Sequence, residues 1–202
     1  SAVPSAALIR AVRTLIVDEI YHGLVYDGAV ESALGISEDV FVINSFSKYF
    51  HMTGWRLGWM VVPDSLVRPI ERLAQNLFIC PPVIAQHAAL GALDATEELE
   101  GHRRVYAANR AILLEELPKA GLTSILPADG AFYIYADIGA HAASSRELTR
   151  RMLAEIGIAA TPGNDFDPAR GDRYMRLSYA GTTADIAEAA WRLKGWLGNV
   201  RR

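Results

Sequence analysis

The first third of the chain holds three short runs in which apolar residues follow one another with little polar alternation: Thr14–Val17 (TLIV), Val40–Asn44 (VFVIN) and Leu57–Pro63 (LGWMVVP). A strand without alternation is expected to be covered on both faces, which is the habit of parallel strands in α/β sheets. Between and after these runs the period lengthens. Residues 64–79 read as a helix, residues 80–93 as a second helix entered through Pro81 and Pro82, and residues 102–117 (HRRVYAANRAILLEEL) as a long amphipathic helix stopped by Pro118 and Gly121. Residues 4–13 also read as a helix, capped by Ser5, but it abuts Thr14 with no connection, whereas helix-to-strand turns take about 2–6 residues. Residues are therefore expected to be missing near Arg13 and Thr14.

From about residue 102 the character changes. Residues 130–138 (GAFYIYADI) alternate like a half-buried strand, 144–157 form a helix capped by Ser144 or Ser145, 174–180 (YMRLSYA) give another strand, and 182–198 close as a helix. The expected architecture is α/β, with a mainly parallel sheet in residues 1–102 and a smaller α+β domain in residues 103–202.

Composition narrows the partners. A hydrophobic fraction of 51% suffices for a buried core, and a net charge of −3 supplies no field for nucleic acid or an anionic membrane surface. No apolar run reaches the roughly 18 residues needed to span a bilayer. The lone Cys80 can form no internal disulfide, which fits a reducing compartment and a cytoplasmic protein. Cys80 is expected to be buried, and Trp55 and Trp59 to pack against the sheet. His22, His51, His87, His102 and His141 are too scattered to predict a metal site.

The chemistry concentrates in residues 44–59, NSFSKYFHMTGWRLGW. Lys48 is one of three lysines in the chain, with Lys119 and Lys194, and it comes just after a buried strand, inside a serine turn. A lysine that forms a Schiff base must lose a proton, which desolvation and neighbouring cations favour. Ser45 and Ser47 offer hydroxyls, the turn's N–H groups can face an anion, and Arg56 adds a planar fork suited to phosphate. These four residues match the needs of a phosphorylated aldehyde. Asp18, at the end of the first strand, could hold the proton on a pyridine nitrogen, and Tyr21 could donate to a phenolic oxygen.

Taken together, VDEIYHGLVYDG (17–28) and then SFSKYFHMTGWRLGW (45–59) resemble the class I family of pyridoxal-phosphate-dependent aminotransferases, the fold-type I group. The likeness continues through QNLFICPPVIAQHAAL, TPGNDFDP and YMRLSYAG to cover essentially the whole chain. It implies that residues 1–102 are part of the large pyridoxal-phosphate-binding domain and that 103–202 are the small C-terminal domain. It implies further that Lys48 carries pyridoxal 5'-phosphate as a Schiff base and is the catalytic base. Asp18 then pairs with the pyridine nitrogen and Tyr21 bonds the phenolic oxygen. Ser45 and Arg56 hold the phosphate, with Ser47 a weaker candidate, and Arg176 takes the substrate α-carboxylate.

The reaction implied is transfer of an amino group between an amino acid and a 2-oxo acid, in a homodimer. Family members are about twice as long, and the glycine-rich phosphate turn, the stacking aromatic and the Asn-Pro-Thr-Gly segment have no counterpart in these residues. The opening SAVPS resembles the stretch just after that segment, so the chain reads as a C-terminal portion expected to be inactive alone. Asn76–Cys80 (NLFIC), which in the family lies near the partner subunit's active site, carries no cation for a second carboxylate, so a neutral or aromatic amino acid is the expected substrate. Two alternatives stay open on these residues: a lyase of the same fold, and the aminotransferase-like sensor domain of a transcription regulator.

Overall fold

The computed structural model describes residues 14–199. The helix read at residues 4–13 and the break expected at Arg13 and Thr14 fall outside or at the edge of that range. The chain divides into two compact units, one made of the residues up to Gly101 together with Asp129–Ala131, the other of His102–Ala128 and the residues from Phe132 onward.

The first unit is built on a three-stranded sheet, β1 (Leu15–Asp18), β2 (Val40–Ser45) and β3 (Gly58–Val61), in that order. β1 and β2 are parallel, in register from Leu15 opposite Val40 to Asp18 opposite Ile43. Val17, Val40, Val42 and Ala33 form the core beneath them, with Leu15 and Ile36 packed against it.

The third strand departs from expectation. β3 runs antiparallel to β2, with Ser45 opposite Gly58, and all four of its residues are exposed. A parallel return needs a crossover connection of a dozen or more residues, usually a helix. Residues 46–57 hold only the 3₁₀ turn Thr53–Trp55, so the chain folds back on itself.

Three helices come next: α1 (Asp64–Leu77), α2 (Val83–Asp94) and α3 (Thr96–Lys119). α2 starts directly after Pro82, whose fixed φ suits a helix start, and it buries Ala85 and Ala89, the latter against Phe46 and Met52. α3 begins six residues before the expected His102, because Glu97 and Glu98 favour its first turn and Gly101 is too weak a breaker to stop it. Every residue of α1 is exposed or half-buried. Cys80, expected in the core, is exposed in the α1–α2 connection. Trp59 meets Phe46 edge-on at 5.0 Å between ring centroids, but both it and Trp55, expected to pack against the sheet, are exposed.

The second unit is an antiparallel sheet in the order β4 (Tyr133–Asp137), β6 (Tyr174–Ser178), β5 (Thr161–Pro162). Its alternation is that read from sequence: Ile134, Ala136, Met175 and Leu177 face the core, and the residues between them do not. Leu148 and Met152 of α4 (Ser145–Ile156) and Ile186, Ala190, Leu193 and Leu197 of α5 (Thr183–Leu197) are also buried in this unit. Ser144 holds the cap position of α4 without a side-chain cap bond, while Ser145 donates to Asn164 Oδ1 at 2.6 Å. Thr182 caps α5 by accepting from the Asp185 N–H. Among the described residues, no helix is long and apolar enough to cross a membrane.

Asn109 of α3 is fully buried, and its amide nitrogen donates to the carbonyls of Tyr179 at 3.0 Å and Gly181 at 2.9 Å. It ties the helix to the turn between β6 and α5. Asn109→Ala strands two carbonyl oxygens and is expected to cost about 1–3 kcal/mol, read as a lower urea midpoint with unchanged slope. An unchanged midpoint would show that the bonds carry no net stability.

Candidate functional site

Because β1 and β2 are parallel, their C-terminal ends lie side by side, the position where open α/β sheets hold ligands. β1 ends at Asp18 and β2 at Ser45. Asp18 is exposed and its Oδ1 accepts the Ile20 N–H at 3.1 Å, so its carboxylate is not a buried group.

The buried acid is its neighbour. Successive strand side chains point to opposite faces, and Glu19 turns inward, only 3% exposed. Its carboxylate accepts from the Ala33 N–H at 2.8 Å and the Ser32 hydroxyl at 3.1 Å, and lies 3.2 Å from Nδ1 of His22. Its backbone N–H donates to Ile43 O at 2.9 Å. Glu19 therefore fixes the turn that carries Asp18 and Tyr21. Sequence reasoning passed it over, although an Asp-Glu pair at a strand end must place one acid on each face.

The serine turn is closed by its own bonds. Ser45 Oγ accepts the Ser47 N–H at 3.0 Å and lies within donor reach of Ser47 Oγ at 3.0 Å and Leu57 O at 3.2 Å. Phe46 N donates to Leu57 O, Met52 N to Phe46 O, and His51 N to Lys48 O. Phe46 and Met52 anchor the turn in the core. Lys48 is half-buried, and its Nζ stands 5.6 Å from the centroid of the Tyr21 ring.

Arg56 closes the loop in the left-handed conformation, φ +54°, with Nη1 donating to Thr53 O at 2.8 Å. A side chain larger than glycine's rarely adopts that conformation without surrounding structure to hold it. The hold comes from Gly58. A Cβ there would stand 2.7 Å from Asn44 O, so glycine is required for β3 to approach β2 this closely. One end of the first unit's sheet thus assembles Asp18, Tyr21, Ser45, Ser47, Lys48 and Arg56.

Arg176 belongs to the second unit. It is half-buried on β6, opposite Tyr135 on β4 and Thr161 on β5. Its guanidinium carbon lies 4.1 Å from the Tyr133 ring centroid and 4.4 Å from that of Phe166, and Nη2 donates to Thr161 Oγ1 at 3.4 Å. Two cation–π contacts restrict the guanidinium plane. Neither ring stands out in the sequence, though Phe166 falls within TPGNDFDP. Beside them, burial raises the Tyr135 hydroxyl above its ordinary pKa, and the Asp167 carboxylate adds to that shift.

Residues 6–193 match the profile of the family described as aminotransferase class I and II. The chain is 47% identical over 187 residues to valine–pyruvate aminotransferase of Mycobacterium tuberculosis, covering 91% of this chain and 48% of that protein. It is 37% identical over 188 residues to (5-formylfuran-3-yl)methyl phosphate transaminase of Methanocaldococcus jannaschii, covering 91% and 50%. A crystal structure of an aminotransferase from Mycobacterium tuberculosis superposes with a TM-score of 0.91 at 45% identity, over 96% of this chain and 51% of that one. The chain therefore belongs to the class I and II aminotransferases and has their α/β, fold-type I architecture, and members of that family use pyridoxal phosphate. It spans about half the length of the curated relatives it matches.

Glu19→Ala removes the acceptor of two donors and the partner of His22 and is expected to cost about 2–3 kcal/mol, measured by urea denaturation. Asp18→Asn, at an exposed carboxylate, is expected to leave the midpoint where it is. Equal midpoints for the two variants would refute the division of labour between these acids.

Proposed function

We propose that this chain holds pyridoxal 5'-phosphate on Lys48 and serves amino-group transfer between an amino acid and a 2-oxo acid. The observation that carries this reading is the position of the Lys48 amine beside Tyr21, at the adjoining ends of two parallel strands that also deliver Asp18 and Ser45. The donor set fits the cofactor. The Ser45 and Ser47 hydroxyls and the Arg56 cation suit a phosphate dianion, the Lys48 amine in its neutral form suits an aldehyde, and the carboxylate of Asp18 suits a protonated ring nitrogen.

In this reading Ser45, Ser47 and Arg56 hold the phosphate, the Asp18 carboxylate keeps the ring nitrogen protonated, and the Tyr21 hydroxyl donates to the phenolic oxygen. When bound, pyridoxal phosphate supplies the electron sink for the pair left on the substrate α-carbon. Lys48 Nζ takes the α-proton as general base. An arginine at position 48 could not act so, since guanidinium does not deprotonate in proteins. Arg176 pairs with the substrate α-carboxylate through its planar fork, its orientation fixed by Tyr133 and Phe166.

The first unit is then part of the large cofactor domain and the second is the small C-terminal domain. A neutral or aromatic amino acid is the substrate we favour, because Asn76–Cys80 offers no cation for a second carboxylate, and the relative from Mycobacterium tuberculosis is named for valine and pyruvate. We place the protein in the cytoplasm as a homodimer. Exposed Leu77, Phe78 and Ile79 support association through the end of α1 and the segment after it, and a lone free cysteine suits a reducing compartment.

After incubation with pyridoxal phosphate and exhaustive dialysis, the chain is expected to keep a visible absorbance band that Lys48→Ala lacks. Arg56→Ala is expected to weaken pyridoxal phosphate binding about tenfold, the loss of one charge-assisted bond, and to leave pyridoxal, which has no phosphate, unaffected. Retention of the band in Lys48→Ala would refute Lys48 as its carrier.

A further inference from the structure

The residue after Lys48 is a tyrosine whose ring is wedged against a neighbouring segment. A Cβ built on Gly23 would collide with Cγ, Cδ2 and Cβ of Tyr49, so the ring lies flush on the Gly23 backbone. Gly23 stands two residues beyond Tyr21, within the turn that Glu19 fixes. The Tyr49 hydroxyl donates to Glu100 Oε1 at 2.8 Å, and its ring meets Phe50 edge-on at 5.2 Å. Backbone wedge, carboxylate anchor and aromatic neighbour hold it from three sides.

The bonds that close the serine turn run among residues 44–57 and fix its shape. Tyr49 adds a link of another kind, joining the peptide beside Lys48 to the segment carrying Tyr21 and Asp18. We infer that Tyr49 is a positioning residue for Lys48: its ring, seated on Gly23 and anchored by Glu100, sets where the lysine amine stands over the Tyr21 turn. This rests on Lys48 as the cofactor-bearing lysine. Small displacements of a reacting group carry large rate penalties, and a lysine side chain has many rotamers from which a displaced backbone could select the wrong ones. Gly23 is then needed because the ring occupies the space of a side chain.

The chain has three lysines, so Lys119 and Lys194 serve as internal references. Two readouts on the purified chain separate this inference from the cofactor reading. The first is trace acetylation with acetic anhydride in the absence of cofactor, read as the Lys48 to Lys119 ratio by peptide mass mapping. The second is pyridoxal phosphate fixed on Lys48 by borohydride reduction. Tyr49→Leu and Gly23→Ala are each expected to raise the acetylation ratio about threefold, as the amine leaves the Tyr21 ring, and to lower cofactor fixed at Lys48 about tenfold. Tyr49→Phe keeps the wedge and loses the anchor, and is expected to raise the acetylation ratio about 1.5-fold and to lower cofactor fixed at Lys48 about threefold.

If Tyr49→Leu and Gly23→Ala, folded by circular dichroism, match the parent in both readouts, Tyr49 is a packing residue only and the inference fails. Should one of them not fold, the other decides; should neither fold, Tyr49→Phe decides, with its smaller shift in the acetylation ratio expected and an unchanged ratio overturning the inference. A parent chain that takes no cofactor at Lys48 sinks the cofactor reading instead, and the acetylation ratio still decides the role of Tyr49.

Discussion

Asp18 and Ser45 lie near one another because Leu15–Asp18 and Val40–Ser45 run in the same direction with Asp18 opposite Ile43. Antiparallel pairing would send these strand ends to opposite ends of the sheet, and one residue of slippage in β2 would turn Val40 and Val42 out of the core. The register is held from below by Val17, Val40, Val42 and Ala33. It is held from the end by Glu19, whose N–H bonds Ile43 O and whose carboxylate grips residues 32 and 33. Placement of the Lys48 turn against the Asp18–Tyr21 turn depends on this pairing.

Local strain accompanies that placement. Arg56 is held in a left-handed conformation that costs on the order of 1–3 kcal/mol, and the structure sustains it by threading Gly58 against Asn44 O and bonding the guanidinium to Thr53 O. Relaxing Arg56 to an extended conformation would move both the guanidinium and the start of β3. A similar device appears at Gly23, where the missing side chain makes room for the ring of Tyr49. In both places the missing side chain of a glycine lets another segment come close: the Asn44 carbonyl at Gly58 and the Tyr49 ring at Gly23.

Legibility from sequence tracked how local each cause was. The alternation of Tyr133–Asp137 and Tyr174–Ser178 marked a sheet with one covered face, and the continuous runs at 14–17 and 40–44 marked the parallel pair, but not its cover: Ile16 and Asp18 are exposed, so β1 is buried on one face only. The order of residues in the serine turn was enough to point to cation and hydroxyl chemistry. The direction of β3 was hidden, since an apolar run reads the same whether its partner is parallel or antiparallel; only the lack of a helix in residues 46–57 held a clue. Cys80 read as a core residue from its type, yet it sits in a connection whose Phe78 and Ile79 are exposed as well. The inward turn of Glu19, the rings beside Arg176 and the wedge of Tyr49 arise from contacts far apart in sequence, which periodicity does not encode.

The most direct test of the site is a crystal structure of the chain grown with pyridoxal phosphate and reduced in place. The account predicts continuous density from the cofactor to Nζ of Lys48, with the phosphate at Ser45, Ser47 and Arg56 and the ring nitrogen at Asp18. Cofactor attached at Lys119 or Lys194, or a phosphate lying away from the serine turn, would contradict it.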